Sequence, residues 1–316
     1  MKIVITGGAG FIGMHTATRL LKEGQEVHII DHFHPYYSPE RKKKHAEVIR
    51  QTGFAYFYEH NLLHREETIA LIAQIRPDAI IHLAALPGVS YSLEEPLMYV
   101  DYDIKMTINV LEAAGKAEVK KVVFASSSSV YGEQPNRPLK EEMANGRAIS
   151  PYAASKWSAE SFCHVYAQLY SYSVSVLRFF TVYGPWGRPD MAIAKFIKRA
   201  MNGEAIDIYG KGSGRDYTYV DDVVNGIRLS LNDQQNYAIW NIGAGSPTSM
   251  TRLLALLEKE FPHMDIRYGD HRVGDVVSTW ADISKAKQEL GFQPVTSIEE
   301  GLKRTIEWAY DNKAHL

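Results

Sequence analysis

The sequence predicts an α/β fold, a doubly wound parallel Rossmann-like sheet with a smaller C-terminal α/β domain, and three observations carry that expectation. Short apolar runs recur along the chain, helical segments separate them, and the first run leads straight into a glycine-rich turn. Strands that alternate with helices lie parallel, and such a sheet binds ligands beyond the carboxyl ends of its strands. At 316 residues the chain has room for two domains and a sizeable core. We expect residues 1–180, with 222–248 returning to them, to form the dinucleotide-binding domain, and 181–316 to form most of a second, substrate-binding one.

The elements follow in order. "KIVIT" is a short run of β-branched residues and reads as a buried strand. "GGAGFIG" comes next, then "MHTATRLLKEG" with helical spacing and Gly24 at its end, then "EVHIID", a second strand closing on Asp31. In this βαβ unit Gly7 permits a sharp turn, Gly10 lets backbone amides approach a pyrophosphate, and Gly13 lets helix and strand pack closely. Phe11 and Ile12 belong to the same turn and are assigned to the cofactor with it. Asp31 falls 18 residues after Gly13, where an acid can bind both ribose hydroxyls of an adenosine. A 2′-phosphate would meet that carboxylate as like charge, so NAD is expected rather than NADP.

Further strands are expected at 78–85, 120–129, 173–180 and 237–243, with helices near 98–116, 152–170 and 222–231. The residues just after each strand are therefore candidates: Leu83, Ala84, Ala85 and Pro87, then Ser126 to Ser129, then Thr181. Serines at a strand end either cap the next segment or meet a ligand. Downstream, "YAASK" sets Tyr152 and Lys156 four residues apart, on one face of a helix that Pro151 can open. An ammonium beside a phenol favours its ionised form, and the pair can then act as a base.

Composition narrows the classes. A net charge of -2 argues against a nucleic-acid surface, and no apolar run approaches membrane-spanning length. The basic run "RKKKH" at 41–45 is expected to be a solvated loop or helix face. One cysteine, Cys163, fits a reducing compartment, and "MKIVITGGAGF" enters strand and turn at once, so the cytoplasm is the expected location. "HFH" at 32–34 has no partners at ligand spacing, and no metal is expected.

Taken together, "TGGAGFIG", "HLAA", "SSSSVYG", "YAASK" and "RFFTVYGP" resemble the extended short-chain dehydrogenase/reductase superfamily, which works on nucleotide sugars. The resemblance implies that Tyr152 is the base, that Lys156 binds the nicotinamide ribose and favours the phenolate, and that Ser127 aids proton transfer. It also places Asn61 and Leu62 near the adenosine. "DHFHPYYSPERKKKH", "PGVSYSLEEP" and "RFFTVYGPWGRPDMA" are similar to the UDP-glucuronate 4-epimerase family. That likeness implies a UDP-hexuronate substrate met by Pro87, Ser127, Ser128, Ser129, Thr181 and Arg188. It further implies that Arg215 and Arg272 clamp the diphosphate and that Asp275 accepts from the uridine ribose. Left open are a plain surface role for Arg188 and a structural Arg272–Asp275 ion pair. So are 4-epimerisation of neutral UDP-sugars, UDP-glucuronate decarboxylation, and a non-catalytic NAD sensor. The chain departs from its relatives at Ser90, where they commonly carry Arg, and at Asn61, where they often carry an acid. Ser129 stands where the decarboxylases place a glutamate. The aromatic and small residues of "WSAESFCHVYAQLY" suit either core or a homodimer seam, and the resemblance implies a homodimer.

Overall fold

The computed structural model describes residues 1–134, 137–209, 214–269 and 278–315. Six strands, β1 (Lys2–Thr6), β2 (Glu26–Asp31), β3 (Ala55–Glu59), β4 (Ala79–His82), β5 (Lys121–Ser127) and β6 (Ser173–Phe179), join the strand Tyr237–Ile242 in one parallel sheet. The order is Tyr237–Ile242, β6, β5, β4, β1, β2, β3. The central strands are buried on both faces, which is why they read as continuous apolar runs. The sequence direction reverses between β1 and β4, so the carboxyl ends of these two strands flank a crevice.

Helices α1 (Phe11–Lys22), α2 (Pro39–Thr52) and α3 (Arg65–Ile75) link β1 to β4. One apolar cluster lies on the sheet face that meets α1 and the helix Val220–Ser230, and a second lies on the face that meets α3 and the helices Met106–Lys116 and Pro151–Tyr170. The helix Pro151–Tyr170 begins where the sequence says it should: Ser150 caps it by accepting from the Ala153 N–H at 3.1 Å, and Pro151 sits in its first turn. It stops at Ser171, which turns left-handed at φ 56°. Across β6, Arg178 forks onto Glu160 at 2.9 and 2.7 Å with both side chains buried, locking that helix to the sheet.

Beyond β6 the chain builds smaller pieces. The pairs Thr181–Tyr183 with Tyr217–Tyr219 and Ile206–Tyr209 with Ile266–Gly269 are parallel, and Gly214–Arg215 with Thr248–Ser249 is antiparallel. The helices Ala192–Asn202, Met250–Glu260 and Ile298–Asp311 close on them around a third apolar cluster. Among the described residues no helix is long and apolar enough to cross a membrane.

One expectation is corrected. The basic run 41–45 lies within α2, but it is not solvated: Arg41, Lys42 and His45 are all buried, His45 completely, and only Lys43 of the run is exposed. Long aliphatic stems and an imidazole can line a helix face that packs inward, provided their polar ends find partners.

Candidate functional site

The glycine turn after β1 has the shape its residues require. Gly7 takes φ +67°, and a Cβ there would stand 2.7 Å from the Ala84 nitrogen. A Cβ on Gly13 would lie 2.3 Å from the Gly7 carbonyl oxygen, so only glycine lets α1 start so close to the strand end. The result is a concave wall free of side chains at the N-terminus of a helix, where amides can meet an anion. Asp31 closes β2 beside it, with its carboxylate accepting from Ala9 N–H at 3.1 Å and Phe33 N–H at 2.8 Å. His82 at the end of β4 is wedged between Thr6 Oγ1 (2.6 Å) and Thr107 Oγ1 (3.0 Å). The Thr107 hydroxyl donates to Asp103, so the imidazole is a donor at Nε2 and an acceptor at Nδ1, which is the neutral form. Burial holds it there, pushing its pKa down to about 3.

These features border a cleft of about 1020 Å³, room for a dinucleotide and a second ligand. Gly7, Gly10, Phe11, Ile12, Gly13 and Asp31 line one end, with Leu62, Leu83, Ala84 and Ala85. Pro87, Ser127, Ser128, Ser129, Tyr152, Lys156, Thr181, Arg188 and Arg215 line the rest. Asn61 does not line it: its Oδ1 accepts from Leu63 N–H at 3.0 Å and shapes the turn before α3. Arg272 and Asp275 lie outside the described residues.

At the middle of the cleft Ser127 caps a short 3₁₀ turn, accepting from Ser129 N–H at 3.2 Å and donating to the Ser129 hydroxyl at 3.1 Å. Ser126 points the other way, onto buried Glu160. Lys156 is buried. Its ammonium donates to the Ala125 carbonyl at 3.1 Å and sits 5.2 Å above the Phe124 ring, so the charge stays beside the end of β5. The Tyr152 ring packs edge-on against Tyr99 at 6.0 Å.

At the far end Arg188 forks onto Asp190 at 3.0 and 2.5 Å. Burial works against that guanidinium charge, and the Asp190 carboxylate outweighs it, raising the Arg188 pKa. Tyr36 donates to Asp190 at 3.2 Å and keeps its proton, because burial pushes the phenol up to about 12. Arg188 also lies 5.8 Å from the Tyr36 ring. Sequence reasoning assigned no role to Tyr36, Lys42, Asp103 or Asp190. Their one local signal is position: Tyr36 and Lys42 follow Asp31 closely, and Asp190 follows Arg188 by two. Among the described residues no group of three or more His, Cys, Asp or Glu is placed to hold a metal ion.

Parallel strands, a side-chain-free turn with an acid after the next strand, and a Tyr/Lys pair on the same cleft define a dinucleotide-dependent protein of the epimerase and dehydratase class. Residues 3–243 match the NAD dependent epimerase/dehydratase family, and the chain belongs to it. Among its relatives, the UDP-glucuronate 4-epimerase of Thermodesulfobacterium geofontis is 41% identical over 313 residues, covering 98% of this chain and 96% of that one. The crystal structure of Bacillus cereus UDP-glucuronic acid 4-epimerase with UDP-glucuronic acid and NAD superposes with a TM-score of 0.92 at 33% identity, covering 98% and 99% of the two chains. A Thermotoga maritima UDP-glucose 4-epimerase with UDP-glucose superposes almost as well, with a TM-score of 0.91 at 34% identity over 99% and 100%. Fold alone therefore does not select the sugar.

Proposed function

We propose that this protein is an NAD-dependent 4-epimerase that interconverts UDP-glucuronate and UDP-galacturonate. The observation that carries the reading is the shared cleft: the glycine turn, Tyr152 with Lys156, and an arginine fork at the far wall all open onto one space. The glycine turn and Asp31 fit NAD, because a Cβ at Gly7 or Gly13 would collide with backbone and Asp31 ends the next strand, the position of an acid that takes the ribose hydroxyls. Residues 1–180, with 222–248, hold the dinucleotide in this reading, and 181–316 supply most of the UDP-sugar contacts.

Held by Gly7, Gly10, Gly13 and Asp31, NAD+ would supply the hydride acceptor that turns C4 of the sugar into a transient ketone and, once the sugar has turned, the hydride for its opposite face, with no net oxidation. Tyr152 takes the O4 proton and later gives it back, with Ser127 holding that oxygen. Lys156 fixes the charge beside Tyr152 and binds the nicotinamide ribose. Arg215 and Arg272 clamp the diphosphate, and Asp275 accepts from the uridine ribose. For a uronate the 4-ketone is a β-keto acid, which loses CO2 when its C5–C6 bond aligns with the carbonyl π system. Thr181 and Arg188 hold the carboxylate out of that alignment through charge-assisted bonds.

The protein is a homodimer and works in the cytoplasm in this reading. Exposed apolar side chains on adjacent helices support the dimer: Leu97 and Val100 on 96–105, Val165 and Leu169 on Pro151–Tyr170.

The test is product analysis by NMR with UDP-glucuronate, UDP-glucose and UDP-N-acetylglucosamine supplied separately. UDP-galacturonate should form from the first, with turnover of the neutral sugars at least tenfold slower. Tyr152→Phe should abolish turnover with NAD retained, and Arg188→Ala should slow epimerisation and release UDP-pentose. Equal turnover of UDP-glucose would replace the reading with a neutral-sugar epimerase, and UDP-pentose as the main product of the unmodified protein would replace it with a decarboxylase.

A further inference from the structure

The basic run that proves to be buried points to how the Arg188 loop is held. Arg41 and His45 stand one helical turn apart on α2. The Arg41 guanidinium lies between two indoles, 5.6 Å from the Trp186 ring and 5.7 Å from the Trp308 ring. Its Nη2 donates to the Gly187 carbonyl at 2.8 Å, the residue before Arg188, and its Nη1 donates to the His315 carbonyl. Among the described residues no carboxylate forms a salt bridge with it. A buried guanidinium without a counter-carboxylate is costly, so its fork is spent on carbonyls and ring faces.

The loop it grips has an uncommon shape. Gly187 N–H closes a turn onto the Gly184 carbonyl at 3.0 Å, with Pro185 in the second position and Trp186 in the third. Trp186 takes φ +61° there, where a turn of this kind ordinarily carries glycine or asparagine. Such a conformation persists when the surroundings over-determine it. They do so here. Besides Arg41, the His45 ring meets Trp186 edge-on at 5.2 Å, Trp308 packs on it at 5.0 Å, and His315 at 5.3 Å.

Both flanks of the turn are also tied to the dinucleotide end of the cleft. His15 on α1 bonds the Pro185 carbonyl at 2.8 Å, and His45 Nδ1 donates to the Ala9 carbonyl of the glycine turn at 2.8 Å. One cluster thus joins the cofactor turn to the loop that carries Arg188.

We propose that Arg41 is a positioning residue for Arg188: by holding the Gly187 carbonyl and the Trp186 ring it fixes the turn that aims the Arg188 guanidinium at the substrate carboxylate. It touches neither substrate nor cofactor. Its effect is on which sugars are held well and on whether the β-keto acid keeps its CO2. This rests on the reading of Arg188 given above.

The test compares Arg41→Met, Arg41→Lys and Arg188→Ala. The readouts are KM for UDP-glucuronate, the ratio of UDP-pentose to UDP-galacturonate, Kd for UDP, and NAD content after purification. Arg41→Met should raise KM for UDP-glucuronate about tenfold and raise the pentose ratio several-fold, with UDP affinity and NAD content unchanged. Arg41→Lys keeps charge but cannot fork onto two carbonyls, so it should fall between the two, and it reads the same ratio should the methionine variant prove insoluble. The proposal is overturned if both Arg41 variants keep the KM and product ratio of the unmodified protein. It is equally overturned if they lose UDP-glucuronate, UDP and NAD together, since that is plain loss of structure. If Arg188→Ala shifts the products and the Arg41 variants do not, the bracing fails and the Arg188 role stands. If Arg188→Ala shifts nothing, the Arg188 role itself is wrong.

Discussion

Asp103 sits 1% exposed on a π-helical stretch, Val100–Lys105, packed against the helix Pro151–Tyr170. Its carboxylate accepts from Leu86 N–H at 2.8 Å and from the Ser155 hydroxyl at 2.8 Å, and Ser155 lies between Tyr152 and Lys156 in the chain. Burial raises the Asp103 pKa, and the Lys156 charge works against that rise. The other titratable groups that face this carboxylate and Lys156 include the phenol of Tyr99, neutral His82 and the buried Cys163 thiol, which burial pushes up. Asp103 is therefore the negative charge that offsets Lys156 next to the proposed base. Asp103→Asn keeps the shape and the bond from Leu86 N–H, reverses the other so that Nδ2 donates to the Ser155 hydroxyl while that hydroxyl donates to the Tyr152 carbonyl, and deletes that charge. With the Lys156 field less compensated, the acid limb of the kcat/KM pH profile should move to lower pH than in the unmodified protein. An unmoved limb with activity retained would show that the carboxylate acts through hydrogen bonding alone. The same residue marks a boundary of what the sequence discloses. Gly7, Gly13, Tyr152 and Lys156 are legible because each belongs to a short motif with fixed local spacing, "GGAGFIG" or "YAASK". Asp103 and Arg41 are not, because the groups that satisfy them, Ser155 in one case and Gly187 with Trp308 in the other, are distant in the chain. A charge run read locally defaults to solvent.

At the scale of elements, the helix Pro151–Tyr170 has two faces with different work. Ala159, Cys163 and Ala167 are buried against the second core cluster, whereas Val165 and Leu169 are exposed, Leu169 by 67%. The helical segment beside it leaves Leu97 exposed by 78%. Apolar surface that two neighbouring helices leave open is what a two-fold seam buries. Leu169→Glu should place a charge in that seam and convert a dimer to monomer at micromolar concentration, read by sedimentation velocity, with the near-UV spectrum of the fold unchanged. A monomeric unmodified protein would remove the seam altogether. This split also explains why one sequence stretch was compatible with both core and interface: the face, and not the composition, decides. Strands β1 and β2 coincide with the apolar runs that announce them, because both faces of each are covered. Strand β3 is different. It lies at the sheet edge with Tyr56 and Glu59 exposed and the rest half-buried, so the aromatic run "FAYFY" that spans it stays partly in solvent, and α2 before it is masked by its own charges.

Over the whole molecule, buried imidazoles set how stability responds to acid. Burial pushes His45 and His82 down to about 3, and burial with the His32 charge pushes half-buried His34 down to about 4. In the unfolded chain each would titrate near ~6.5. The folded state thus binds fewer protons than the unfolded state below that value. Each such histidine contributes stability that is fully present above ~6.5 and is lost as pH falls toward its folded value, at about 1.4 kcal/mol per pH unit. Buried carboxyls oppose them: burial raises the pKa of Asp103, Glu141 and Asp216. Asp216 is buried and pushed up to about 6 by desolvation, although Ala244, Gly245 and Ala281 N–H groups and Thr218 all donate to it. Its raised value favours the folded state at low pH and loses that contribution as pH rises through about 6, again at about 1.4 kcal/mol per unit. The lowered histidines, His15, His32 and His60 among them, outnumber the raised carboxyls, so stability falls on acidification from pH 6 to 4. Urea unfolding at pH 7.5, 6 and 5 should therefore show a midpoint that falls with acid, most steeply between 6 and 5, and urea avoids the ionic screening that guanidinium would introduce. His82→Gln should flatten that slope by about 1.4 kcal/mol per pH unit, because it removes one buried imidazole from the balance. A midpoint that rises from pH 6 to 5 would mean that the carboxyls outweigh the histidines, and that the Thr6–His82–Thr107 chain tolerates a charged ring.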